Sequence, residues 1–143
     1  MQNAHFPQSV KKTLLDGVTL TDAYAGNVSD SYENKAVGIT DKASFSISYT
    51  PGATETNNEL HLQVEVSPTG EDDDWDIATT QSTSGGEVTI AKLNYKYIGA
   101  TAVEQKISVP FEINDNFIRV SAKEVGVATN FGTLTLKITL TGN

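Results

Sequence analysis

The run that most constrains this chain is its last one, where Leu134, Leu136, Ile138 and Leu140 alternate with Thr133, Thr135, Lys137, Thr139 and Thr141. A period of two sends successive side chains to opposite faces of a β-strand, so this segment has one apolar and one polar face. Residues 117–125 read the same way, with Ile118, Val120 and Ala122 against Arg119, Ser121 and Lys123. Between the two runs, the connection from Gly126 to Gly132 is short and holds two glycines, which predicts an antiparallel hairpin. The polar faces carry Thr, Ser, Lys and Arg, and none of these is arranged as a catalytic set.

Earlier runs repeat the theme. Phe45, Ile47 and Tyr49 alternate with serines, and Leu60, Leu62, Val64 and Val66 alternate with His61, Gln63 and Glu65. Ile107, Val109, Phe111 and Ile113 share a face while Pro110 falls on the other, which predicts an edge or bulged strand because proline cannot donate to a ladder. Val88 and Ile90 are out of step with Leu93, Tyr95 and Tyr97, and a bulge near Lys92 would absorb the shift. Residues 17–22 and the segment with Ala36, Val37 and Ile39 read as short strands. The stretches 22–34, 51–58, 82–86 and 114–116 read as polar loops or turns. Residues 1–16 keep no sustained period and read as an extended arm. Roughly eight or nine short strands with no helical window predict an all-β fold, an antiparallel β-sandwich of jelly-roll or Ig-like type. Residues 17–143 would form that single domain, with residues 134–140, 60–66 and 107–113 supplying its core.

Composition narrows the chemistry. A chain of 143 residues suffices for one core, and no segment approaches the ~18 consecutive apolar residues of a membrane span. That absence leads to the expectation of a soluble protein, and the opening residues lack the basic-then-apolar order of a secretion signal. With no cysteine there is no thiolate nucleophile, no disulfide and no usual structural zinc site. A net charge of -8 argues against nucleic acid as a partner, because phosphates reward clustered Lys and Arg.

Several residues carry alternative readings. Lys11 and Lys12, an adjacent basic pair, are either solvated or part of an arm that docks on a neighbouring acidic subunit. His61 has no second histidine near it and reads as a solvated strand residue. The run Glu71, Asp72, Asp73, Asp74, Trp75, Asp76 reads as a solvated acidic turn. A calcium site is the alternative, although the spacing of an EF-hand loop is missing. Trp75 is expected to anchor the core or a sheet edge; an exposed Trp75 beside Tyr95 and Tyr97 would point to carbohydrate, as would a displayed Tyr24 and Tyr32 loop. Glu65, Asp76, Glu112 and Glu124 are the acids that would have to meet for glycoside hydrolysis. No phosphate loop, nucleophile elbow or zinc-protease pair occurs, so no enzyme activity, catalytic residue, metal ligand or cofactor is expected.

The ordered phrases ASFSISYTPGATETNN (residues 43–58), LHLQVEVSPTG (60–70) with Trp75, and FIRVSAKEVGVATNFGTL (117–134) resemble small β-sandwich proteins encoded in the structural-gene regions of tailed bacteriophages. The resemblance spans roughly residues 43–142, and the acidic turn before Trp75 departs from it. It implies a virion structural part: a capsid decoration protein, a head-fibre base, or a neck or tail component. The expectation is therefore a non-enzymatic virion protein, a homotrimer bridging major capsid or other virion subunits, with a carbohydrate-binding module or adhesin of a tail or fibre as the alternative.

Overall fold

The structure, a computed structural model, describes residues 8–33, 40–99, 102–111 and 116–142. The expected arm residues 1–7, the short strand near Ala36, Val37 and Ile39, and Glu112, Ile113, Asn114 and Asp115 lie outside these residues. The chain folds into two antiparallel sheets packed face to face. Strands β1 (Gln8–Thr19), β3 (Thr40–Thr50), β9 (Gln105–Phe111) and β11 (Thr133–Gly142) form one sheet in the order β1-β11-β3-β9. The other contains β2 (Tyr32–Glu33), β10 (Phe117–Val125), β4 (Glu59–Ser67) and β5 (Asp76–Ile77) in the order β2-β10-β4-β5, with β8 (Asn94–Ile98) also on β4. Among the described residues, strands β6 (Thr79–Ser84) and β7 (Glu87–Lys92) pair only with each other. The all-β sandwich expected from the alternation is what the chain forms. Among the described residues, no helix is long and apolar enough to cross a membrane.

Alternation sets the core directly. Phe45, Ile47 and Tyr49 of β3 and Leu134, Leu136, Ile138 and Leu140 of β11 are buried against Leu60, Leu62 and Val64 of β4 and Ile118, Val120 and Ala122 of β10. Ile107, Val109 and Phe111 are only partly buried, because β9 is an edge strand, and that edge place tolerates Pro110, which has no N–H to donate to a ladder. Phe45 joins the layers: it stacks on Phe111 at 4.0 Å and meets Tyr95 of the opposite sheet edge-on at 6.1 Å.

Three expectations need correction. β10 and β11 are not a hairpin, for they lie in different sheets, and residues 126–132 carry the chain across the sandwich. A period of two shows that a segment is a strand with one buried face but does not say which sheet it joins. The expected arm is also shorter, since from Gln8 onward the chain is strand β1 on β11, with Leu14 and Leu15 both buried. Irregularities between Thr13 and Leu15 and between Leu15 and Val18 break the alternation there and hid the strand. Finally, residues 82–86 belong to a hairpin rather than a loop, and the slip near Lys92 is not a bulge. There β7 ends at Lys92 and β8 begins at Asn94 in another sheet.

Core and hairpin therefore respond differently to truncation. Phe45→Ala should destabilise the fold by about 3–5 kcal/mol, whereas Ile90→Ala, on the exposed hairpin, should change monomer stability by less than about 0.5 kcal/mol. Urea unfolding at low protein concentration measures both.

Candidate functional site

The residues weighed for chemistry separate onto different surfaces. Glu65 faces outward on β4, where Arg119 binds it through Nε and Nη2, both at 3.1 Å, and the Ser121 hydroxyl donates to it at 3.2 Å. Glu124, at the other end of β10, is buried inside the sandwich, so these two carboxylates sit on opposite faces of one sheet. Asp76 is exposed on β5, and Glu112 lies outside the described residues. No pair of these acids faces a common cleft among the described residues. His61 hydrogen-bonds Glu59 at 2.8 Å, and Lys96 pairs with the same carboxylate at 3.4 Å. Together these partners hold the Glu59 carboxyl below its ordinary range, His61 contributing most. Among the described residues, no three His, Cys, Asp or Glu side chains converge as a metal would require.

The aromatic residues are similarly divided. Trp75 is half-buried against the sheet, with the Arg119 guanidinium 4.3 Å from its ring centre, a cation–π contact that occupies one ring face. Tyr95 and Tyr97 point the other way, inward, opposite Leu62 and Leu60. Tyr97 donates its hydroxyl proton to Gln105 Oε1 at 2.8 Å and ties β8 to β9 across the open side of the sandwich. Tyr24 lies beneath Lys123 at 4.6 Å, and Tyr32 packs against the core. Both tyrosines thus anchor their loop, and Trp75, Tyr95 and Tyr97 share no surface.

Two carboxylates organise one end of the molecule: Glu124, weighed above only as a hydrolytic acid, and Glu55, which the sequence did not single out. Glu55, buried in the connection from β3 to β4, accepts the backbone N–H groups of Ala128 at 2.9 Å, Thr129 at 2.6 Å and Asn130 at 2.8 Å. Those three donors hold its carboxyl below the usual range, more than offsetting the effect of burial. Glu124 accepts the Gly132 N–H at 2.7 Å and the hydroxyl of Tyr49, whose own ionisation burial and this carboxylate push upward. Close approach completes the contact, because a Cβ on Gly52 would sit 2.1 Å from the Asn130 carbonyl oxygen. Glu124 was detectable from parity, as an acid in register with Ile118, Val120 and Ala122. Glu55 had no such signal.

The most exposed part of the molecule is on the β4 edge. β5 pairs with the far half of β4 and β8 with the near half, so together they form one strand split by an excursion. Ala78 N–H donates to Val64 O at 2.9 Å and Leu93 N–H to Ala78 O at 2.7 Å, closing its base. Beyond that base, β6 and β7 project with every residue exposed, Val88 and Ile90 among them. Gly85 and Gly86 have φ of 59° and 81°, the positive values that a tight two-residue hairpin turn demands. A Gly-Gly step between two runs that hold β-branched residues, Thr79, Thr80 and Thr83 before it and Val88, Thr89 and Ile90 after it, is the sequence signal for this element. No family model matches the chain, and no curated protein matches it significantly.

Glu55→Gln tests the carboxylate clamp through pH. A carboxyl lowered in the folded state stabilises fully above its unfolded pKa of about 4.3, and that stability is lost as pH falls through the lower folded value. The variant should melt several degrees below wild type at pH 7, and the gap should narrow below about pH 4, as followed by thermal circular dichroism.

Proposed function

We propose that this chain is a non-enzymatic structural subunit of a tailed-phage virion, a capsid decoration or stabilising protein that associates with copies of itself, as a homotrimer, on the head. The observation that carries the reading is the projecting β6–β7 hairpin. An isolated two-stranded hairpin is marginally stable in water, yet this one exposes all its residues, with Val88 and Ile90 on one face. Such an element gains stability by packing on another chain. Its only charges, Glu87 and Lys92, cancel, so contact through it escapes the mutual repulsion of an acidic protein. The virion setting is supported by the resemblance of residues 43–142 to phage structural β-sandwiches. Carbohydrate binding is the weaker reading, since Trp75, Tyr95 and Tyr97 do not face one ligand.

Val88→Asp combined with Ile90→Asp tests it. Wild type should sediment as an oligomer and bind particles that lack it, while the double variant should sediment as a monomer with unchanged folded-state circular dichroism. A wild type that stays monomeric at every concentration and ignores such particles would reject the proposal.

A further inference from the structure

The outer face of the β1-β11-β3-β9 sheet carries a groove of about 360 Å³ crossing the strands. Lys11 of β1, Lys137 of β11 and Lys106 of β9 line it, over a floor that includes Ser46 and Ser48 of β3. Its carboxylate, Glu104, is engaged by the Ser48 hydroxyl at 2.6 Å. None of the three lysines forms an ion pair among the described residues. Three cations elsewhere are engaged, Arg119 by Glu65, Lys96 by Glu59 and Lys123 over Tyr24, while Lys12 and Lys92 are exposed singly outside the groove. In a chain of net charge -8, three unpaired lysines in one groove form a local reversal of sign.

The opposite sign is concentrated on the other sheet. After β4 the chain makes a turn in which Glu71, Asp72 and Asp73 are exposed. The turn is held in place. Ser67 Oγ accepts the N–H groups of Thr69 at 3.2 Å and Gly70 at 2.8 Å, the Asp74 N–H donates to Glu71 O at 3.1 Å, and Thr69 Oγ1 donates to Asp74 Oδ2 at 2.5 Å. Trp75 beneath Arg119 then fixes its exit to the sheet. A rigid convex acidic turn loses little conformational entropy on docking.

We infer that the lysine groove receives the acidic turn of a second copy of this chain. Complementary charge selects that occupant, and the groove's lining includes no residue of the molecule's own turn. Groove and turn are different surfaces, so the contact is head-to-tail, and it closes into a ring if the rotation between copies divides a full circle. This rests on the self-association proposed above and gives it a polar contact separate from the hairpin.

Charge exchange tests it. One variant carries Lys11→Glu, Lys106→Glu and Lys137→Glu; the other carries Glu71→Lys, Asp72→Lys and Asp73→Lys. Each alone should associate more weakly by on the order of 100-fold, since both of its surfaces then carry one sign. Mixing the two should restore association, seen by sedimentation velocity. The milder Lys11→Gln, Lys106→Gln and Lys137→Gln variant should reproduce the loss in part, and melting curves verify that every variant is folded. Wild-type oligomers unaffected by either reversal would overturn this contact while leaving self-association standing. A wild-type monomer at all concentrations would overturn both. Association that survives the lysine reversal, together with duplex-DNA binding that wild type shows and the reversed variant loses, would assign the groove to nucleic acid instead, and would likewise overturn the inference.

Discussion

Two carboxylates removed from water, Glu55 and Glu124, hold the end of the sandwich where the chain changes sheets. A buried carboxylate is costly unless hydrogen bonds replace its lost hydration. Here they do: Glu55 takes three consecutive backbone N–H groups, and Glu124 takes the Gly132 N–H and the Tyr49 hydroxyl. The backbone donors come from residues 128–132, the crossing between β10 and β11, while Glu55 belongs to the β3–β4 crossing. Each crossing therefore satisfies polar groups in the other, and the two sheets are tied where a sandwich would otherwise be free to splay.

That tie leaves the rest of the molecule free to carry function. The β4 edge accepts a split strand, and the hairpin leaves it through a base closed by the Ala78 and Leu93 N–H groups. Hairpin and acidic turn are excursions from the sandwich, whereas the lysine groove lies on the outer face of the β1-β11-β3-β9 sheet, whose inner face builds the core. Outward side chains there are not constrained by packing, which is why surface segments are where binding properties can accumulate.

How far the sequence was legible follows from the same division. Strands β3, β4, β10 and β11 were readable because one buried face imposes strict alternation, and Pro110 marked β9 as an edge. Sheet membership was not readable, since a sheet-crossing corner and a hairpin both need only a short connection with glycine; residues 126–132 were misjudged for that reason. β1 was hidden by its irregularities at Leu14 and Leu15, where two adjacent side chains turn inward. β6 was hidden for the opposite reason: with neither face buried, its Thr and Ser residues show no apolar period. At the carboxylate lock, Glu124 was legible from parity, whereas Glu55 depends on backbone donors more than 70 residues away in sequence.

The tie between the sheets requires residues 128–132 to be held rather than loose, and amide hydrogen exchange reads this residue by residue. If the carboxylates lock the crossing, the amides of Ala128, Thr129, Asn130 and Gly132 exchange within about tenfold of core amides such as Leu136, because they open only with the sheets. Exchange as fast as at Gly85 and Gly86 in the exposed hairpin turn would contradict it.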